Sequence, residues 1–132
     1  MMKITNSEKE TIEFGKKYVS QLKPGDVLGL VGELGAGKTQ FVKGLAKGLG
    51  IKNNITSPSF VLLKKYNNLI HIDCYRLNSP QELLDLGWQE FLEDKNIIAI
   101  EWADKIKKIM PRDTIWIKFK TGQKENQRII TL

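Results

Sequence analysis

The sequence predicts an α/β fold: a three-layer sandwich in which helices cover both faces of a mixed, mainly parallel sheet with added antiparallel hairpins. Two short runs, residues 27–31 and 97–100, are apolar on both faces, as parallel strands buried between two helical layers are. Segments with the spacing of amphipathic helices alternate with these runs. Two further pairs of segments flank short turns and predict the hairpins.

The first half of the chain is predicted to form a helix, a buried strand and a second helix. Ser7 and Glu10 have the spacing of a capping box, which places the start of the first helix. Pro24 and Gly25 end that helix before the strand. A glycine-rich turn follows the strand, and Gly50 can end the second helix in a left-handed conformation. The predicted helices are residues 7–22 and 41–49, and the predicted strand between them is residues 27–31.

The second half is predicted to contain five strands with short helical segments between them. Asn67 and Asn68 tolerate the positive φ angles of a tight hairpin turn. Ser79 and Pro80 suit the cap and the first position of a helix, which Gly87 breaks. The predicted strands are residues 60–66, 69–75, 97–100, 115–119 and 128–132; helical segments follow Ser79, cover 88–92 and pass through Ile106 and Ile109.

The length and the net charge of the chain limit the classes of protein to which it can belong. Its 132 residues and 15.1 kDa predict one domain, residues 1–132, which excludes polymerases, two-domain kinases and large nucleotide-driven machines unless other proteins complete an assembly. The 21 Lys and Arg against 15 Asp and Glu give a net charge of +6, which favours anionic partners such as nucleotides or RNA. A general bias toward lysine explains the same charge, because no basic block is present.

Cysteine usage and hydropathy predict a cytoplasmic protein without a membrane anchor. Cys74 is the only cysteine, so no internal disulfide can form and a reducing compartment is expected. The first ten residues are polar and charged, unlike a secretory signal. No run of roughly 18 apolar residues is present, which argues against a transmembrane helix.

A phosphate-binding motif joins the first buried strand to the second helix. Residues 32–39, G-E-L-G-A-G-K-T, match G-x-x-x-x-G-K-[ST] in the strand-to-helix context that this motif requires. Glycines let successive N–H groups point toward phosphate oxygens at the helix N-terminus. Lys38 would reach the β and γ phosphates, and the hydroxyl of Thr39 would bind Mg²⁺. The alternative is a glycine-rich turn with a solvated lysine, but the full motif favours a P-loop NTPase-like sandwich that binds a nucleoside triphosphate.

Two acidic residues lie where the partner ligands of a phosphate loop are expected. Asp73 and Glu101 end the apolar runs 69–72 and 97–100 of two predicted strands, and the carboxyl ends of parallel strands gather beside the phosphate loop. Each carboxylate could bind Mg²⁺ or orient the attacking water. The alternative roles are a strand-end turn for Asp73 and a solvent-facing carboxylate for Glu101.

Four other features have a functional interpretation beside a structural one. The polar loop 56–60 lies where phosphate-sensing switch loops occur, or is an ordinary loop. Trp102 could stack on a base or belong to the core. His71 alternates with Asp73 and is predicted to share its side of the strand, although a lone histidine is usually structural. Arg76 could contact phosphate, RNA or a partner, or form a surface salt bridge.

The combination of these segments resembles the TsaE (YjeE) family over nearly the whole chain. The histidine–aspartate–tyrosine–arginine segment and the isoleucine–glutamate–tryptophan segment are not general properties of phosphate-loop proteins. The four segments that carry the resemblance are G-E-L-G-A-G-K-T at residues 32–39, T-S-P-S-F at 56–60, H-I-D-C-Y-R-L at 71–77 and I-E-W at 100–102.

This resemblance implies an ATPase of bacterial tRNA modification. Members of the family support synthesis of threonylcarbamoyladenosine at position 37 of tRNA, together with TsaB and with TsaD, the transferase. ATP and Mg²⁺ are the implied cofactors, tRNA is reached through the complex, and no membrane is involved. By resemblance, Lys38, Asp73 and Glu101 are catalytic and Thr39 and Glu101 hold Mg²⁺. The implied nucleotide-binding residues are Thr11, Glu33, Leu34, Gly35, Ala36, Gly37, Lys38, Thr39 and Trp102.

Two other functions fit the phosphate loop and stay open at the level of sequence. A small-metabolite kinase needs an acceptor pocket and an arginine-rich lid, whereas Arg76, Arg112 and Arg128 are the only arginines and are widely spaced. A nonhydrolytic, nucleotide-dependent docking module would use the same loop for binding alone. An assay of turnover with and without partner proteins separates these functions.

Overall fold

A computed structural model describes residues 1–56 and 63–132 of the chain. It contains one seven-stranded sheet with the strand order β1-β7-β6-β2-β5-β4-β3. The strands in chain order are β1 (Met2–Thr5), β2 (Val27–Gly32), β3 (Leu63–Tyr66), β4 (Leu69–Asp73), β5 (Ile97–Glu101), β6 (Ile115–Thr121) and β7 (Arg128–Thr131).

Helices cover both faces of this sheet. Two helices of 11 residues each, α1 (Glu8–Tyr18) and α2 (Lys38–Gly48), lie on one face. On the other face lie the short helices α3 (Gln81–Asp85) and α4 (Trp88–Glu93) and the 3₁₀ segment Ala103–Ile109. A second 3₁₀ turn, Val19–Gln21, continues α1. No helix in the described part of the chain is both long enough and apolar enough to cross a membrane.

The sheet confirms the predicted mixed three-layer α/β architecture. Its four central strands, β6, β2, β5 and β4, run parallel, because β2 pairs with both β5 and β6 and β5 also pairs with β4. The outer pairs β1–β7, β6–β7 and β3–β4 are antiparallel. The carboxyl ends of β2, β4 and β5 therefore point to the same edge of the sheet.

The two sheet faces bury two separate groups of apolar side chains. Phe41, Leu45 and Leu30 represent the group beneath α1 and α2, and each has no exposed surface. Trp88 and Leu83 anchor the group on the other face, where the indole N–H of Trp88 donates a hydrogen bond to the carbonyl oxygen of Ile109 at 3.1 Å. Because both faces of the central strands are buried, these strands have apolar side chains at successive positions of the sequence.

Helices α1 and α2 pack with their backbones in close contact at two glycines. A Cβ atom at Gly44 would lie 2.1 Å from the carbonyl oxygen of Ile12, and one at Gly15 would lie 2.4 Å from that of Phe41. Only glycine leaves enough space at such a crossing. This contact holds α1 against the helix that follows the phosphate loop.

The first strand is an element that the sequence pattern did not predict. Residues 2–4 of β1 are exposed and only Thr5 is buried, so no apolar alternation marks the strand. β1 is held by pairing with β7, from Met2 opposite Thr131 to Thr5 opposite Arg128. Part of the predicted strand 60–66 lies outside the described residues; its described part, Leu63–Tyr66, is β3.

The predicted N-terminal cap is present in helix α1 but not in helix α3. The side chain of Ser7 accepts a hydrogen bond from the backbone N–H of Glu10 at 3.1 Å, as predicted. The prediction that Ser79 caps α3 was wrong, because Pro80 occupies the N-cap position and no side chain caps this helix. The carboxylate of Glu82 accepts instead from the backbone N–H of Asn78 at 3.2 Å.

Candidate functional site

A cavity of about 660 Å³ opens at the edge where the central parallel strands end. Ligands of open α/β sheets bind at this edge, and small-molecule sites have volumes of roughly 300–1,000 Å³. The cavity gathers nine of the predicted site residues: Thr11, Leu34, Gly35, Gly37, Lys38, Thr39, Asp73, Glu101 and Trp102. Other lining residues include Glu8, Tyr75, Arg76, Glu82, Asn126 and Arg128.

Two predicted binding residues have side chains that do not line the cavity. Glu33 has an exposed side chain, and Ala36 is fully buried in the core beneath α1 and α2. They contribute to the loop through the backbone, since the N–H of Ala36 donates to the carbonyl oxygen of Glu33 at 3.1 Å. The predicted switch loop 56–60 lies outside the described residues except for Thr56.

The phosphate loop turns sharply into the open N-terminus of α2. Gly35 and Gly37 have φ angles of +78° and +107°, a region that favours glycine. Gly37 is the N-cap of α2, and no side chain caps that end. The first N–H groups of an 11-residue helix therefore face the cavity, where the helix dipole favours an anion.

Lys38 holds its ammonium group inside the loop that it follows. The side chain is 4% exposed, and Nζ donates hydrogen bonds to the carbonyl oxygens of Gly32 at 2.5 Å and Glu33 at 2.8 Å. Burial lowers the pKa of Lys38, and the nearby carboxylates of Glu101 and Asp73 partly oppose this effect. The loop thus keeps a cation whose partners are neutral carbonyl groups.

Glu101 joins the phosphate loop to the end of the neighbouring strand. The Thr39 hydroxyl donates to the Glu101 carboxylate, with distances of 3.0 Å to Oε1 and 3.1 Å to Oε2. From β4, Nε2 of His71 lies 2.6 Å from Oε2 of Glu101. Glu101 is 3% exposed, so its carboxylate is surrounded by protein and by the cavity.

Asp73 and Trp102 form the wall of the cavity beyond Glu101. The strand register places Asp73 directly opposite Glu101, and its Oδ1 accepts from the backbone N–H of Tyr75 at 2.9 Å. Trp102 has a φ of +59°, unusual for a bulky residue. Its ring lies 5.0 Å from that of Tyr75 and 4.4 Å from Nζ of Lys38, measured to ring centroids.

The opposite wall comes from α1 and β7. Thr11 is 1% exposed, and its hydroxyl lies 2.7 Å from that of Thr5 in β1. Arg128 crosses from β7 to the phosphate loop, where its Nε donates to the carbonyl oxygen of Gly35 at 3.2 Å. Sequence reasoning identified Thr11 through family resemblance but missed Arg128, because no local motif surrounds it.

The residues present suit a nucleoside triphosphate with Mg²⁺. Open helix N–H groups and the ammonium of Lys38 match phosphate oxygens, while the Thr39 hydroxyl and the Glu101 carboxylate supply oxygen atoms, which Mg²⁺ prefers. Within residues 1–56 and 63–132, no group of three His, Cys, Asp or Glu side chains could hold a metal ion. Mg²⁺ usually relies on one or two carboxylates and takes its other ligands from phosphate and water.

Comparison with known proteins decides the family. A family model described as threonylcarbamoyl adenosine biosynthesis protein TsaE matches residues 5–130. The chain belongs to the TsaE family. Its involvement in tRNA threonylcarbamoyladenosine biosynthesis follows from this membership, and the resemblance inferred from the four sequence segments is confirmed.

Individual TsaE proteins match the chain over most of their own length. The TsaE protein of Bacillus subtilis is 39% identical over 129 residues, which cover 95% of this chain and 80% of that protein. The TsaE protein of Treponema pallidum is 39% identical over 129 residues, with 96% of both chains covered. The crystal structure of Bacillus subtilis YdiB superposes with a TM-score of 0.82 and 34% identity, covering 98% of this chain and 82% of that one.

Proposed function

We propose that this chain binds and hydrolyses Mg²⁺–ATP as the accessory ATPase of the tRNA threonylcarbamoyladenosine modification complex. In this role it supports assembly and turnover of TsaB and TsaD and does not itself transfer the threonylcarbamoyl group. The observation that carries the proposal is the bridge between Thr39 and Glu101, at 3.0 and 3.1 Å, beside the buried ammonium of Lys38. This bridge links a phosphate loop to a strand-end carboxylate, as metal-dependent phosphoryl chemistry requires.

The phosphates of ATP would be held by the loop and by the start of α2. The uncapped helix N-terminus offers backbone N–H groups, and Lys38 would exchange the carbonyl oxygens of Gly32 and Glu33 for phosphate oxygens. A charged acceptor strengthens these hydrogen bonds. Binding energy would therefore come from the uncapped N–H groups of α2 and from a lysine that changes its hydrogen-bond partners.

Thr39 and Glu101 would hold Mg²⁺ at the end of β5. When bound, Mg²⁺ neutralises charge on the β and γ phosphates. Asp73 lies opposite Glu101 in the strand register and would accept a hydrogen bond from the attacking water, which orients that water toward the γ phosphate. Trp102 and Thr11, on opposite walls, would border the nucleotide.

The first experiment separates binding from hydrolysis. We expect Lys38→Ala to weaken ATP binding strongly, because it removes the cation beside the phosphates, whereas Glu101→Gln retains most of the binding and loses Mg²⁺-dependent hydrolysis. Affinity is measured by quenching of Trp102 fluorescence and turnover by phosphate release.

Two controls make this experiment specific. Lys47→Ala, on the exposed last turn of α2, should leave binding and turnover unchanged, and Trp102→Phe should abolish the optical signal. Normal hydrolysis by Glu101→Gln would refute the role of this carboxylate. Tight ATP binding without any turnover, alone or with TsaB and TsaD, would instead identify a nonhydrolytic docking module.

The second experiment tests the role in tRNA modification. Purified TsaB, TsaD and threonylcarbamoyl donor are combined with tRNA, with and without this chain, and the modified adenosine is counted per TsaD molecule. We expect multiple turnovers only with the complete mixture and ATP, and we expect Lys38→Ala to behave like omission. Undiminished multiple-turnover synthesis without the chain would refute the proposed function.

A further inference from the structure

His71 is a fully buried residue whose role the proposed chemistry does not yet include. Its ring has no exposed surface, and Nε2 lies 2.6 Å from Oε2 of Glu101. Its other ring nitrogen, Nδ1, is also buried and has no hydrogen-bond partner among the described residues. One nitrogen therefore makes a short contact with the proposed metal ligand, and the other makes none.

The contact assigns the ring proton to Nε2. An ionised carboxylate only accepts hydrogen bonds, so the imidazole nitrogen facing Glu101 must donate. A single proton on Nε2 leaves Nδ1 as a bare acceptor. The other neutral tautomer would bury an unpaired N–H at Nδ1, and orphaned N–H groups are rarer in proteins than unpaired acceptors. In this contact His71 is therefore the donor and Glu101 the acceptor.

Packing alone does not account for a histidine at this position. Neighbouring β4 residues Leu69, Ile70 and Ile72 are apolar and almost completely buried. An apolar side chain of similar size at position 71 would avoid the cost of burying an unpaired nitrogen. The contact through Nε2 is the feature that an apolar residue cannot supply.

Two donors on different elements hold Glu101 between them. The parallel register of β4 and β5 places His71 opposite Ala99 and two residues before Asp73, so His71, Asp73 and Glu101 share one face of the sheet. Thr39 approaches from the start of α2, and His71 approaches from β4. The carboxylate thus has a fixed orientation before any ligand binds.

We propose that His71 is the positioning residue for Glu101: its Nε2–H fixes the carboxylate so that the oxygen atoms of Glu101 and Thr39 bind Mg²⁺ together. The metal part of this inference rests on the proposed function. Partners that orient metal ligands commonly contribute a factor of about 10–100 to metal affinity. Loss of the Nε2–H donor should therefore weaken Mg²⁺ binding without removing any metal ligand.

The test compares two variants that differ in this donor. His71→Leu removes it, whereas the amide nitrogen of His71→Gln can occupy the position of Nε2. We expect His71→Leu to raise the Mg²⁺ concentration for half-maximal hydrolysis by about 10–100-fold, with ATP affinity in EDTA unchanged, and His71→Gln to recover most of the loss. Melting curves establish that each variant is folded.

A second readout needs no turnover. Nitrogen-15 NMR of the protein without nucleotide should show a proton on Nε2, and Glu101→Gln should shift the Nε2 resonance. An unprotonated Nε2 would overturn the inference, as would unchanged Mg²⁺ dependence in folded His71→Leu. Equal losses in the Leu and Gln variants would also overturn it.

Failure of the proposed function gives a different result. If the wild-type chain binds no ATP and hydrolyses none, both the function and the metal role of His71 are refuted. If the wild-type chain hydrolyses ATP normally and only the His71 variants behave unexpectedly, the function stands and the positioning role alone is refuted.

Discussion

Burying the charged side chain of Lys38 lowers the stability of the folded protein, and the function of this residue explains why it is retained. Lys38 is a buried residue, and burial lowers the pKa of its ammonium group, so the folded chain disfavours the charged form that phosphate binding needs. The carbonyl oxygens of Gly32 and Glu33 and the ring of Trp102 offset only part of this cost. Residues that sacrifice stability in this way are concentrated at functional sites.

Replacement of Lys38 should consequently make the free protein more stable. We expect Lys38→Met to raise the melting temperature by a few degrees while abolishing ATP binding, because it removes a buried charge and keeps the side-chain volume. The gain should shrink as pH rises toward 10.5, the usual pKa of lysine. Through this window the folded wild type has already released the proton that the unfolded chain still binds, so wild-type stability increases.

The control for this prediction is Lys47→Met in the same helix. Lys47 is exposed in the last turn of α2, so its replacement should leave ATP binding intact and change the melting temperature little. Differential scanning calorimetry at several pH values measures both variants. A lower melting temperature for Lys38→Met at neutral pH would contradict the argument from burial.

Individual site residues differ in how far the sequence could predict their placement. Lys38 and Thr39 lie within a local motif, and Asp73 and Glu101 end apolar runs, so pattern and topology together bring them to one cavity. Because side chains alternate between the two faces of a strand, the sequence correctly places His71 on the same face of β4 as Asp73. The contact of His71 with Glu101, however, depends on the register between β4 and β5, which are distant in sequence. No local pattern contains that register.

At the scale of elements, the crossing of α1 and α2 positions one wall of the cavity. The two helices contact each other through Gly15 and Gly44, with no space for a Cβ atom. α1 carries Thr11 to the cavity, and α2 begins at the phosphate loop. The separation of the two walls therefore depends on glycine at both positions.

A methyl group at this crossing should destabilise the protein. Within an isolated helix, Gly→Ala stabilises by up to about 1 kcal/mol, yet a Cβ atom at Gly44 would lie 2.1 Å from the carbonyl oxygen of Ile12. We expect Gly44→Ala to lower the free energy of unfolding by about 2 kcal/mol, a typical cost of overpacking. Urea titration measures the change, with Lys47→Ala on the exposed face as the control; an increase in stability would show that the helices separate freely.

The elements that the sequence predicted least well are those defined by pairing alone. The exposed strand β1 has no periodic pattern and exists because β7 offers an unpaired edge. Of the predicted turn residues Asn67 and Asn68, only Asn67 has a positive φ, at +52°. The doubly buried strands β2 and β5, whose apolar side chains on both faces follow from their central position, were predicted nearly to the residue.

At the scale of the whole molecule, a single sheet separates the two apolar cores and carries the site on one edge. Cys74 directly follows β4 and is completely buried among the apolar residues of the second core. Burial, with a smaller effect from the carboxylate of Asp73, raises the pKa of its thiol to about 12. Because thiolate is the reactive form, this only cysteine of the chain should be inert in the folded state.

Thiol labelling should therefore report opening of the whole fold. At pH 8 only about one thiol in 10⁴ is ionised when the pKa is four units higher, so we expect negligible reaction of Cys74 with a thiol reagent in the native protein and complete reaction in urea. Saturating Mg²⁺–ATP should slow labelling further, because a ligand that binds only the folded state stabilises it. Rapid labelling of the native chain would show that the second core opens locally.

The hydrogen bond between Arg128 and Gly35 joins two parts of the cavity that lie far apart in the sequence. The two residues are 93 positions apart, and β2 must also pair with β6, whose residues begin at Ile115. Contacts of such long sequence separation carry a high loop-closure entropy. A nascent chain that has released its phosphate loop from the ribosome consequently lacks one wall of the nucleotide cavity until Arg128 has also emerged, and ATP cannot assist its folding before that point.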